Sequence, residues 1–279
     1  MRSYLFLLSI LPLAVFAQLP VAITLEPGTN YTVTVKVTNK LIQQAEGQAI
    51  DFLAGGQAVH RLSVVGSGNR QVQHQLRQVA FNFDGMGAVR SFDSESEEDM
   101  SGELGPSFAH LKSPYTITCS NTGIITQVDN QRPPSPVADP RLAVILDMVK
   151  ELSEYAALPD KGARAYFSAI VPNGTALGQT WMEKDKQAET TYKLTGINDS
   201  TYTISYQASG KDSTVADLNG IISTTRVTTE KNGTIVAFLR SGIVRSHTYV
   251  MNTNGIREAM GTRMPFSATK TVSMIIRPE

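Results

Sequence analysis

The stretch Tyr31-Thr32-Val33-Thr34-Val35-Lys36-Val37-Thr38 decides the fold class. Apolar and polar residues alternate without a break. In an extended chain this puts Tyr31, Val33, Val35 and Val37 on one face and three threonines and a lysine on the other. A strand with one buried and one wet side belongs to an antiparallel sheet. Working outward, residues 58–65, 72–83 and 115–118 continue the strand reading, and 19–25 reads as an apolar opening strand stopped by the turn Glu26-Pro27-Gly28. Past Phe167 the signal returns at 189–195, 201–206, 220–229, 234–240, 243–253 and 267–276. Lys231-Asn232-Gly233 reads as the best hairpin turn, because Asn-Gly readily takes the positive φ angles of a type I′ turn.

One helix interrupts the strands. Asp139 suits an N-cap and Pro140 the first helical position. Leu142, Ile145, Leu146, Val149, Leu152 and Tyr155 then recur at helical spacing until Pro159 and Gly162. Such a stripe reads as a core face laid across the concave side of a sheet. The expected fold is therefore mainly β, of α+β type: antiparallel meanders forming one or two curled sheets, with one amphipathic helix packed on a sheet face. A weak internal echo (Leu25 to Tyr31 against Leu177 to Trp181, and Asn121-Thr-Gly against Asn232-Gly-Thr) is compatible with two meanders of similar plan or with chance.

The division expected is a signal peptide at 1–17, an N-terminal β-rich half at 18–158 that ends in a Pro-rich linker and the helix, and a C-terminal antiparallel half at 159–279. Arg2, the apolar run 4–14 and Val15-Phe16-Ala17 supply the three parts of a secretory signal, with cleavage after Ala17. That apolar run is short of the roughly 20 residues a bilayer crossing needs, and no later stretch approaches that length. Export follows as an expectation, to a periplasmic or extracellular place.

The chain has 279 residues, with 25 Lys and Arg against 25 Asp and Glu. A zero balance removes the electrostatic case for nucleic acid and for a polybasic membrane anchor. Cys119 is the one cysteine, so no disulfide forms within the chain; the alternation of Tyr115, Ile117 and Cys119 makes it a buried, inert thiol.

No motif for catalysis, cofactor or metal emerges. There is no G-x-S-x-G elbow, no H-x-H, H-E-x-x-H or C-x-x-C, and no phosphate-binding glycine loop. His60, His74 and His247 sit in strand-like runs and His110 in a polar connection. The acidic segment Ser91 to Gly105 reads as a solvated loop. A cation held by Asp93 to Glu103 is the sharper alternative, although the spacing of a calcium loop is missing. Trp181 reads as core. Met251, Met260, Met264 and Met274 read as gap-filling core or as an adaptable ligand surface. Asn30, Asn173, Asn198 and Asn232 open N-x-S/T sequons. No catalytic, cofactor-binding or metal residue is assigned.

Phe92-Asp93-Ser94 before the acidic stretch, Tyr115-Thr-Ile-Thr with Asn121-Thr-Gly123, Gly178-Gln-Thr-Trp181 and Tyr192-x-Leu-x-Gly196 together resemble an exported bacterial family of unknown function, numbered 6263 and of Bacteroidota type. The resemblance implies an envelope setting and carries over no site residue. Three roles are then open. The first is a non-enzymatic envelope protein that binds an apolar ligand or a protein partner in a cleft beneath the helix; the second is a structural or interaction module; the third is a hydrolase assembled from distant residues.

Overall fold

A computed structural model describes residues 19–20, 22–45, 47–66, 70–85, 87–109, 112–130, 139–153, 161–184, 188–218 and 221–279. The signal peptide, His110, the prolines at 133–136 and the expected end of the helix at Pro159 lie outside them.

The described residues form twelve strands in one antiparallel sheet. The N-terminal strands are β1 (Asn30–Ala45), β2 (Gln48–Val65), β3 (Gln71–Gly85), β4 (Ala88–Asp93), β5 (Tyr115–Cys119) and β6 (Ile125–Asp129). The C-terminal ones are β7 (Thr180–Lys184), β8 (Ala188–Ile197), β9 (Thr201–Leu218), β10 (Ile221–Phe238), β11 (Val244–Ala259) and β12 (Thr262–Pro278). The order is β6-β5-β3-β2-β1-β12-β11-β10-β9-β8-β7, with β4 beside the upper part of β3. Two meanders are thus joined where β1 pairs β12, from Tyr31↔Pro278 to Gln43↔Phe266.

The alternation in β1 sets the two faces. Val33, Val35 and Val37 are at most 1% exposed, and each stands between a β12 partner (Ile276, Met274, Val272) and a β2 partner (His60, Ala58, Gly56). Followed through the register, this inner face carries Leu76, Val79 and Phe81 of β3 on one side and His247, Tyr249, Tyr206, Tyr192 and Trp181 on the other. The outer face is mostly Thr, Ser, Asn and Lys.

The sheet curls around its inner face, and hydrogen bonds at its lower end show how far. The strap 161–171 bonds to the β5–β6 turn through Ala165 N to Gly123 O and forms a bridge from Ser168 to Ile243 in the β10–β11 turn. Those two turns are six strand spacings apart along the sheet, roughly 29 Å if it were flat. Three residues of chain reach only about 11 Å. The sheet must therefore roll up until its two sides are bridged. Arg164 continues the closure, with Nη2 3.1 Å from Glu183 of β7.

The described residues of 19–25 do not form a strand. Ile23 N donates to Asn121 O and Thr24 N to Ser241 O, so this segment stitches the same two turns instead of adding to an edge. The acidic stretch is not simply a loop. It contains the end of β4 and a short helix, α1 (Glu97–Ser101), and ends where a second, α2 (Gly105–Ala109), begins. Ser96 caps α1 by accepting from Asp99 N, while Asp99 Oδ2 accepts from Asp93 N. Carboxylates in the first helical turn are stabilised by the N-terminal end of the helix.

The Asn232-Gly233 turn is not there either. Strand β10 runs through it, with Gly233 opposite both Tyr206 and Tyr249. A Cβ at Gly233 would lie 2.5 Å from Cζ of Tyr206, and that ring is tied through its hydroxyl to His247 Nε2 at 2.7 Å. Glycine is needed there to make room, not to turn. Gly233→Val should therefore cost about 1–3 kcal/mol by overpacking, read as a lowered urea midpoint; an unchanged midpoint would refute the packing role.

Candidate functional site

The lower half of the inner face is filled. Helix α3 (Pro140–Met148) lies on it, and after a turn at 149–150 the helical run resumes at 151–153. Leu142, Ile145, Met148, Val149 and Leu152 are at most 3% exposed. Leu152 fits over Gly56, where a Cβ would come within 2.9 Å of its Cδ1. The expected cleft between helix and sheet is therefore closed by the very stripe that places the helix, since apolar side chains pack to crystal-like density.

Polar contacts pin this plug. Lys270 Nζ on β12 donates to both oxygens of Glu151, at 2.7 and 2.8 Å, and the two side chains are only 6% and 5% exposed. Beside it, Asn39 Nδ2 donates to Met148 O at 3.1 Å. Lower down, His60 and His74 are stacked at 5.2 Å with neither ring exposed. His74 Nδ1 meets Tyr115 Oη at 2.7 Å. Neither nitrogen of His60 has a partner in hydrogen-bonding geometry. Burial pushes its pKa down to about 4, and the neighbouring Leu152 backbone offsets only part of that.

The upper half of the same face is different. Here Leu41, Gln43, Ile50, Met251, Thr253, Val227, Gly255, Phe266 and Ala268 share the inner side. All are half-buried, although Phe52, which stands opposite Leu41 on β2, is buried. The face is apolar and only partly covered among the described residues. Its side border is an aromatic row: Trp181 stacks on Tyr192 at 5.4 Å, Tyr192 leans on Tyr206, and Lys231 Nζ sits 3.8 Å from the centre of the Tyr249 ring. Such a cation–ring contact adds to the attraction between neighbouring strands. His247, between Tyr206 and Tyr249, is held down to about 3 by burial and by the Lys231 charge.

The candidate residues are thus dispersed. His60 and His74 meet, but His247 stands on β11, separated from β2 by β1 and β12, with Tyr206 for a partner. Cys119 is buried and free, and burial raises its pKa to about 11, so the thiol stays protonated at neutral pH. Among the described residues, no group of three or more His, Cys, Asp or Glu is placed to hold a metal ion. The methionines divide: Met274 is core, Met251 and Met264 belong to the half-covered face, and Met260 is 77% exposed at a hairpin tip. The outer face offers an open depression of about 610 Å³ lined by Thr191, Ser205, Gln207, Asn232, Thr234 and Thr248. The residues of the half-covered face escaped the sequence reading because Leu41 and Ile50, on one hairpin, are far in the chain from Phe266; the clustered methionines were the available signal.

No protein-family model matches the chain, and no curated protein does. Among solved structures, one on lipid–protein interactions in lipovitellin superposes with a TM-score of 0.52 at 13% identity over 91% of this chain. The chain spans 25% of that protein's length. This is a likeness of fold alone. OccK5 of Pseudomonas aeruginosa and an outer membrane channel of Pseudomonas putida superpose at TM-scores of 0.27 and 0.24, with 7% identity to each, too loosely to bear on fold or place. No helix among the described residues is long and apolar enough to cross a membrane.

Proposed function

We propose that the protein is a non-catalytic binder of an apolar, chain-like ligand such as a lipid acyl chain, held against the upper inner face. The observation that carries this reading is the change in cover along one continuous face. Below, α3 and the strap seal it; above, Leu41, Ile50, Met251, Val227 and Phe266 keep part of their surface open. Apolar surface in a sheltered groove is where a hydrophobic ligand gains most. The fold shared with lipovitellin, whose structure is described for its lipid–protein interactions, supports the same reading. The signal-like N-terminus supports an exported protein, and the resemblance to an exported bacterial family supports an envelope setting.

The test is displacement of a fluorescent fatty acid from the purified protein. Saturable binding is expected, and Phe266→Asp should weaken it by about tenfold, because a carboxylate must then be desolvated beneath the ligand. Far-ultraviolet circular dichroism checks that the variant folds. A protein that neither binds the probe nor carries lipid extractable by organic solvent would overturn the proposal.

A further inference from the structure

Inner-face residues climb the half-covered face two positions at a time. On β12 they run Lys270, Ala268, Phe266, Met264; on β11, in register with these, Met251, Thr253, Gly255, Arg257. The top row stays on the inner side. Gln43 Nε2 of β1 donates to Met264 Sδ at 3.4 Å, and Arg257 Nε donates to Thr225 Oγ1 of β10 at 3.4 Å. From the Lys270–Met251 row to the Met264–Arg257 row is six residues, roughly 20 Å of strand. An extended long acyl chain fits that span.

The cations at the two ends of the span differ. At the lower end Lys270 is buried and bonds both oxygens of Glu151, while Lys231, beside Met251, sits over the Tyr249 ring. At the upper end Arg257 is exposed, and among the described residues it has only the Thr225 hydroxyl for a partner. Its neighbour Glu258 points to the outer face, where Arg226 and Arg263 share it at 3.3 and 3.9 Å. Asp212, the inner-face carboxylate of β9, stands two strands away opposite Val227 and accepts from Ser213 N. Arg257 is thus a cation without a counter-charge where the apolar rows end.

We infer that the ligand is a free long-chain carboxylic acid, its tail along β11 and β12 and its carboxylate on Arg257. The inference rests on the apolar-ligand reading above and adds the ligand's class and direction. The head points away from the plug because the lower cations are already engaged. A guanidinium presents two parallel N–H donors that match the two oxygens of a carboxylate. A phosphate head brings a second negative charge that one arginine leaves unmet, and a neutral head leaves the arginine itself without a counter-charge.

Isothermal titration calorimetry of the purified protein with laurate, 1-dodecanol and dodecyl phosphate, which share one alkyl tail, tests this. Laurate is expected to bind about tenfold more tightly than dodecanol, and dodecyl phosphate no more tightly than laurate. Arg257→Gln should bring laurate down to the level of dodecanol and leave dodecanol unchanged. Arg263→Gln, on the outer face, should leave both unchanged. Equal affinity for acid and alcohol in the parent, a tighter phosphate, laurate binding indifferent to Arg257→Gln, an equal loss of laurate and dodecanol in that variant, or the same loss in Arg263→Gln would each overturn the inference. Acid and alcohol bound alike would overturn it while leaving the apolar-ligand reading standing; no binding of either would overturn both.

Discussion

Lys270→Met should lower the stability of the folded chain by about 3–5 kcal/mol, the usual effect of removing one partner of a buried ion pair. The Glu151 carboxylate would remain 5% exposed with no cation near its oxygens. It must then pull the 149–153 segment off β12 to reach water or stay buried without its counter-charge. Because Asn39 opposite Lys270 also holds Met148 O, loss of the pair loosens one end of the whole plug. The double variant Glu151→Leu/Lys270→Met should recover most of the loss, since two apolar side chains of similar volume avoid the desolvation cost altogether. Urea unfolding of the single and double variants checks both statements. A Lys270→Met loss below about 1 kcal/mol would mean that water reaches the pair and that it behaves like an exposed one.

That pair also shows where sequence reasoning stops. Glu151 and Lys270 are 119 positions apart, and each looks locally like the wet side of its own element. The alternation Val33-Thr34-Val35-Lys36-Val37 was legible because burial on one face repeats every second residue. The same strand runs on to Ala45 through Leu41-Ile42-Gln43, where alternation fails, and pairing with β2 and β12 carries it onward. The stripe of α3 was legible for the same reason as β1. What it buries against was not, so the expected cleft proved to be filled. Asn232-Gly233 misled because a local turn preference and a packing need call for the same residue. The pairing of β9 with β10 begins instead at Leu218↔Ile221. The sequence places His60 and His74 in strand-like runs, with Val59 and Arg61 beside one and Gln73 and Gln75 beside the other. In a strand those neighbours point to the opposite face, so they report nothing about the histidine itself. The acidic stretch lacked apolar periodicity because the one helix inside it, α1, is five residues long, too short to show one.

The buried histidine gives the second large expected effect, a loss of stability in mild acid. In the unfolded chain His60 takes up its proton near pH 6.5; in the fold, burial holds its pKa down to about 4, with the Leu152 backbone offsetting only part of that. Between those values the unfolded chain binds more protons than the folded one, so stability falls as pH falls. The contribution is fully present above pH 6.5. It declines through pH 5, and by pH 4 this one site has cost about 3 kcal/mol. His60→Leu removes the titrating group and fills the same apolar place between Val33 and Leu76, its partners on β1 and β3. The variant should therefore show a flatter dependence of urea midpoint on pH between 6.5 and 4. Because carboxylates bound in the fold add their own losses mainly below that window, the difference between parent and variant isolates the histidine. Parallel curves would show that His60 reaches water in the folded protein, and with it that the plug over Gly56 and Leu152 opens on the timescale of protonation.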